Sequence, residues 1–359
     1  MKKISLAAYC FSFIGSFLGA GYISGQELYQ FFARFGINGL YGIVTAIAFL
    51  GITGMVIAKY VRITGISEID KVIAGESRFF AKIVAAFEMV MYFGTYVVMA
   101  AGAGALFEKL SGLYRSYIGG SFIFCIIIAC IAIKGIDGLV KVFSYIVPLL
   151  AVMTVATAAL NFFLHPSVKP SFEVSEGGNI LFSGWLAGAL LFASYNIFCA
   201  LGVLCPISKK AKKDSHTVWG IVFGMAGLLA VALCVIYSMA VNPGSMQAEL
   251  PMLESAGNIS DVFMYVYAGL LFIAMSGASL SCFVPVLTYF SDHFKIVREH
   301  HVFSAFAATF LVFLLSCFGF SNLVATVFSV FGYVSLFLVA LIYVNFAKLK
   351  LKNRKNADG

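Results

Sequence analysis

The chain has 359 residues, 61% of them hydrophobic and 11% charged, where soluble domains carry about a quarter charged residues. With a mean hydropathy of +0.98 it reads as an integral membrane protein. Its net charge of +8 is spread over alternate loops rather than gathered into one patch, which excludes a nucleic-acid-binding role.

Apolar windows of about 20 residues, the length that crosses the hydrocarbon core, fall near 4–35, 38–58, 79–107, 117–133, 139–164, 179–204, 217–241, 260–290, 302–320 and 322–347. They predict an all-α integral membrane protein of ten transmembrane helices. Every second loop is basic: Lys59, Arg62, Lys71, Arg78 and Lys82 follow span two, Lys134 and Lys141 span four, Lys209, Lys210, Lys212 and Lys213 span six, Lys295 and Arg298 span eight. The loops between them hold only Arg34, Lys109, Arg115 and Lys169. By the positive-inside rule the protein is a multi-pass protein of the cell membrane with both termini cytoplasmic. Met1-Lys2-Lys3 before an apolar run imitates a secretory signal, but the apolar character continues past Ala20, and cleavage would leave nine crossings and spoil the charge alternation. The eight cysteines lie mostly inside spans with no Cys-x-x-Cys pair and read as small apolar packers.

Span one carries the most informative feature. Gly19-Ala20-Gly21-Tyr22-Ile23-Ser24-Gly25-Gln26-Glu27 puts three glycines, a hydroxyl, an amide and a carboxyl in the middle of an apolar run. Glycine weakens a helix by about 1 kcal/mol relative to alanine, and an ionisable group in hydrocarbon costs a few kcal/mol unless it faces a partner or water. The residues predict a broken helix. Its freed N–H groups favour an anionic group and its loosened carbonyls a cation. The alternative is that the glycines only let a neighbouring helix approach.

After span two, residues 67–80 have the spacing of a short amphipathic helix at the interface. Span three carries Glu88, with Tyr92, Thr95 and Tyr96 ahead of it. Glu27 and Glu88 are the two carboxylates inside spans, and both are candidates for carrying a proton; Glu27 also reads as an external gate residue, and Glu88 as a partner for a cation such as Lys141. The polar stretch 166–178 divides the chain into five spans and five, so the second half enters the membrane from the opposite side, as in inverted-repeat transporters. Repeat one is 1–165 and repeat two 179–347, together one transport domain, followed by a basic tail, 348–359. On this scheme span six should be broken like span one, at Ala193-Ser194-Tyr195-Asn196, with Gly188 and Gly202 flanking. Residues 243–258 have the length of a lid. Spans three and eight are both long, and span eight supplies Ser276, Ser279 and Ser281 as sodium-ligand candidates.

The run Gly-Ala-Gly-x-x-Ser-Gly-Gln-Glu at 19–27, Phe-Phe-x-x-Phe-Gly at 31–36, and Ser194-Tyr195-Asn196 followed by Gly202-Val203-Leu204 resemble the YkvI-like bacterial membrane proteins. That family looks like a distant branch of the amino acid, polyamine and organocation transporters. The resemblance implies a LeuT-type fold with helices one and six unwound at the substrate. It implies a secondary transporter, a proton- or sodium-coupled symporter, moving a small polar or zwitterionic solute by alternating access. Gly19, Ala20, Gly21, Tyr22, Ser24, Gln26, Ser194, Tyr195 and Asn196 would bind the solute. Gln26-Glu27 departs from the pattern of most amino-acid carriers in that superfamily. The partners expected are the solute and the bilayer, with no cofactor beyond the coupling ion. The second reading is a non-transporting receptor on the same fold. No His-Glu-x-x-His, Gly-x-Ser-x-Gly or phosphate-cradling glycine loop is present, and no enzyme chemistry is expected.

Overall fold

The computed structural model describes residues 3–113, 115–134, 139–164, 168, 170–171, 179 and 181–358, with backbone only for 139–145, 243 and 353–358. Most of the stretch 166–178 lies outside the described residues.

The first crossing is built in pieces. Helix α1 (Leu6–Phe17) starts on Ser5, whose hydroxyl accepts from the Ala8 N–H. It stops because Leu18 and Gly19 leave helical geometry, and Gly19 is extended with φ −87° and ψ 169°. Helix α2 (Ala20–Ser24) follows, then Gly25 in the left-handed region at φ 87°, which only glycine adopts without strain. Helix α3 (Gln26–Leu28) runs into a π-helical turn, Tyr29–Ala33. The chain reverses at Gly36 into α4 (Ile37–Thr64).

The amphipathic segment after span two forms α5 (Ile69–Ala74), burying Val72 and Ile73. The Asn345 amide donates to their carbonyls at 3.3 and 2.8 Å and fixes the end of this short helix. Three long helices complete the first half: α6 (Arg78–Ser111), α7 (Ser116–Lys134) and α8 (Leu139–Leu164). The second half comprises α9 (Trp185–Lys210), α10 (Asp214–Val241), the short α11 (Pro243–Met246) and α12 (Pro251–Gly257), α13 (Asp261–His293), α14 (Lys295–Glu299), α15 (His301–Ser316) and α16 (Phe320–Asp358). Among the described residues, eight helices are long and apolar enough to cross a membrane; α1 and α15 are shorter apolar helices. As expected from sequence, α6 and α13 are unusually long, at 34 and 33 residues. Helix α16 continues through the basic tail rather than stopping before it.

Span six contradicts the sequence expectation: α9 is continuous through Ala193–Asn196. The two residues expected to break it turn back onto their own helix, Ser194 Oγ donating to the Leu190 carbonyl at 2.6 Å and the Asn196 amide to the Phe192 carbonyl at 2.9 Å. No glycine lies between Gly188 and Gly202, so the backbone has no point of weakness there. Gly188 serves packing instead: a Cβ on it would stand 2.6 Å from the Phe31 carbonyl oxygen.

The stretch 243–258, expected as a lid, folds over one end of the bundle with Met252 and Leu253 fully buried. Glu254 pairs with Lys109 at the end of α6. The Glu249 carboxylate accepts from the Ser321 N–H at 2.7 Å and so caps the start of α16. Burial pushes the Glu249 carboxyl above the usual range, although the Ser321 bond pulls it the other way. A folded-state pKa raised above the unfolded one means the neutral form is favoured by folding, so this group's contribution is full at low pH and lost as pH rises through the folded value. Glu249→Gln keeps an acceptor for Ser321 without the charge and should raise the unfolding temperature at pH 8 more than at pH 5. Glu249→Ala should lose about 1 kcal/mol by removing the cap. Thermal unfolding in detergent at the two pH values measures both.

Candidate functional site

The interruption in the first crossing is held from three sides. Ser24 Oγ donates to the Gly21 carbonyl at 2.9 Å, satisfying an acceptor within the short helix. The Tyr267 hydroxyl of α13 donates to the Ile23 carbonyl at 2.9 Å and is itself 2.9 Å from Thr154 Oγ1 of α8. The Tyr22 hydroxyl reaches across to the Leu228 carbonyl of α10, also at 2.9 Å. Backbone carbonyls freed in hydrocarbon need such partners, and here tyrosines supply one and anchor the helix to another element.

Glu27 folds back over the break. Its carboxyl lies against Gly21, where a Cβ would stand 2.8 Å from the Glu27 Cδ, so no larger residue fits without moving the acid. Glu27 Oε2 accepts from the Tyr195 hydroxyl of α9 at 2.6 Å, and both side chains are buried. Tyr195 is held by stacking on Phe328 with ring centres 5.1 Å apart and by Phe31 and Phe192 around it. The result is a buried carboxyl with one hydroxyl donor, in an aromatic surround, at the point where two crossings meet.

On the lid side of this carboxyl the structure is sealed. The Gln26 and Gln30 amides both donate to Ser321 Oγ of α16, at 2.6 and 2.8 Å, and Arg34 donates to Gln30 Oε1 at 2.7 Å. Residues 20–33 are buried with the exception of Tyr29, and 191–198 without exception. On the lysine-rich side the pattern changes. Gly19 is accessible, and a Cβ on it would meet nothing within 4 Å. Cys199, one turn beyond Tyr195, is exposed by solvent-accessible area.

Of the residues expected to bind solute, the structure gathers Gly21, Tyr22, Ser24 and Tyr195 at the break beside Glu27, the expected proton carrier, with Gly19 and Ala20 at its edge and Gln26 in the lid-side seal. Ser194 and Asn196 point into their own helix. Glu88 is half-buried and accepts from Tyr92 at 2.6 Å; the side chain of its other expected partner, Lys141, lies outside the described residues. The serines of α13 do not act together: Ser276 donates to the Phe272 carbonyl, Ser281 is exposed, and Ser279 is buried with its hydroxyl unpartnered among the described residues. Sequence reasoning missed Tyr267, Thr154, Ser321, Phe328 and Cys199. Each is an ordinary span residue whose role comes only from what stands opposite.

This arrangement is the LeuT fold. The chain is similar to the crystal structure of MhsT in complex with L-phenylalanine, with a TM-score of 0.62 and 16% identity over 95% of this chain and 89% of that one. It is also similar to the inward-facing conformation of Mhp1, with a TM-score of 0.59 and 15% identity over 90% of this chain and 76% of that one. A manganese transporter from Eremococcus coleocola gives a TM-score of 0.51 and 14% identity over 93% and 85%. In sequence, the chain resembles the uncharacterized membrane protein YkvI of Bacillus subtilis (strain 168), 25% identical over 349 residues covering 95% of this chain and 96% of that protein. The uncharacterized protein YyaD of the same organism is 25% identical over 355 residues, covering 94% and 96%. No protein-family model matches the chain. It is a membrane protein with the LeuT fold.

Gly21→Ala tests the contact that seats Glu27. The added methyl must displace the carboxyl from Tyr195, and the unfolding temperature should fall by several degrees while the protein still folds. Gly19→Ala, whose methyl meets open space, should leave the unfolding temperature within a degree or two of wild type. Thermal unfolding of the two variants checks this pair.

Proposed function

We propose that the chain is a secondary transporter that moves a small polar or zwitterionic solute, an amino acid or related amine, by alternating access. The observation that carries the reading is the hydrogen bond between Glu27, at the break in the first crossing, and Tyr195 of α9. A carboxyl buried at 6% exposure costs several kcal/mol when ionised in a dry site, so a cycle that alternately hydrates and buries Glu27 would bind and release a proton. Tyr195 would hold the acid in place and report its charge to the second half of the chain.

The eight long helices, the interrupted first crossing and α15 make ten crossings in this scheme. The stretch 166–178 divides them into oppositely oriented halves of five. With the lysine-rich end in the cytoplasm, Gln26, Gln30, Ser321 and the lid would close the site to the outside, and the exposed Gly19 and Cys199 would mark the inward path. The solute site would lie beside residues 19–24 and Tyr195, with Glu88 and Tyr92 along the inward path. Because α9 stays continuous, the unwound backbone that meets the solute comes from the first crossing alone in this form. The unpartnered Ser279 hydroxyl favours including sodium in the assay.

Vesicles containing the protein should accumulate solute from a mixed amino-acid and amine pool when a proton gradient is imposed. Glu27→Gln should abolish accumulation against the gradient while leaving solute exchange within about threefold. Proton-driven accumulation by Glu27→Gln equal to wild type removes the proton assignment, a sodium requirement moves the coupling to α13, and ligand stabilisation without flux identifies a receptor.

Cys199 provides a readout of the inward path. In a variant retaining it as the sole cysteine, a water-soluble maleimide should label it from the cytoplasmic face and much more slowly from outside. Added solute that closes the path should slow the labelling several-fold; equal labelling from both faces would contradict the one-sided opening.

A further inference from the structure

At the lysine-rich end, α4 and α10 part to form a cleft of about 260 Å³. Higher up the two helices are in close contact, Gly51 of α4 receiving the Met225 side chain and Gly54 lying beside Phe13 and Ile221. The wall of the cleft changes character along its length. Met55, Val218 and Ile221 line the apolar part; Lys59, Arg62 and Asp214 line the polar part. Ile63, Val218 and Trp219 beside the mouth are 47%, 44% and 53% exposed, a flank that suits hydrocarbon rather than water.

The charge at this site is not balanced internally. Asp214 takes Arg62 through its Nε, and one terminal nitrogen of Arg62 donates to the Ala211 carbonyl at 3.0 Å. Lys59 has no ion-pair partner among the described residues, so two cations line the cleft against one anion. The helix that ends here adds to the same field, for α10 begins at Asp214 after Lys213 with no side-chain cap on its first N–H groups.

We propose that this cleft is a binding site for an anionic phospholipid of the surrounding bilayer, its phosphate on Lys59 and Arg62 and an acyl chain along Met55, Val218 and Ile221. Three properties favour that occupant. The cations stand at the end of an apolar 28-residue helix, the depth at which headgroup phosphates lie. The apolar part of the wall offers nothing to a soluble anion. A zwitterionic lipid would bring its own ammonium against Lys59. Basic pockets between crossings on the cytoplasmic side are the usual setting for such recognition. Bound lipid would brace a junction that also carries the start of the chain, since Ile4 and the segment 210–212 exchange backbone hydrogen bonds, Ile4 N–H to the Lys210 carbonyl at 2.9 Å and Lys212 N–H to the Ile4 carbonyl at 3.2 Å.

The test is thermal unfolding of the full chain in detergent, titrated with phosphatidylglycerol, phosphatidylcholine or glycerol phosphate. Phosphatidylglycerol should raise the unfolding temperature saturably, and the other two should not. Lys59→Gln should weaken its half-saturation about fivefold, the scale of one basic residue at a charged membrane surface, and Lys59→Arg should retain it. Val218→Glu, which puts an anion on the acyl path at a partly exposed position, should also weaken it while leaving the lipid-free unfolding temperature unchanged. Equal stabilisation by phosphatidylcholine, full stabilisation by glycerol phosphate, or an unchanged titration with Lys59→Gln would each overturn the proposal.

Discussion

A backbone that leaves helical geometry at bilayer depth strands N–H and C=O groups that lipid cannot satisfy, and the first crossing does so at Gly19 and again at Gly25. The rest of the structure is arranged around that debt. Tyr267 from α13 takes the Ile23 carbonyl, Ser24 takes that of Gly21, and Thr154 orients Tyr267 from α8. Tyr22 reaches out to the Leu228 carbonyl of α10 in turn. A five-residue helix is too short to be stable alone. It persists because three long helices hold it.

The same constraint explains why an acid can stand there. Glu27 has room for its carboxyl only because residue 21 lacks a side chain, and it has a donor only because α9 brings Tyr195 to it. Phe328, Phe31 and Phe192 fix the tyrosine ring, and the apolar surround makes the ionised and neutral acid very different in energy. A group whose charge is so costly when dry and cheap when wet responds strongly to hydration of its surroundings. The seal on the lid side contrasts with the exposed Gly19 and Cys199 toward the lysine-rich end.

The lid and the seal form one connected piece. Ser321 accepts from Gln26 and Gln30 through its hydroxyl while its N–H donates to Glu249, so the first crossing, α16 and the lid meet at one residue. Movement of any of the three must disturb the other two, which gives a physical route by which events at the break reach the lid. At the opposite end Arg62, Asp214 and the Ile4 pairing tie α4, α10 and the start of the chain together.

Hydropathy and charge are sums over neighbouring residues, so the sequence determined by itself what depends on local sums: a membrane protein, most of its spans, the long α6 and α13, the amphipathic α5, and the break at 19–27 written in three glycines. It also singled out Glu27 and Tyr195 separately. The family resemblance put both regions at one site, but the bond between them was beyond the sequence, because they stand 168 residues apart and only packing of α9 against the first crossing joins them. The continuity of α9 was likewise settled only in the folded chain: Ser194 and Asn196 can break a helix or bond back to it, and here both bond back.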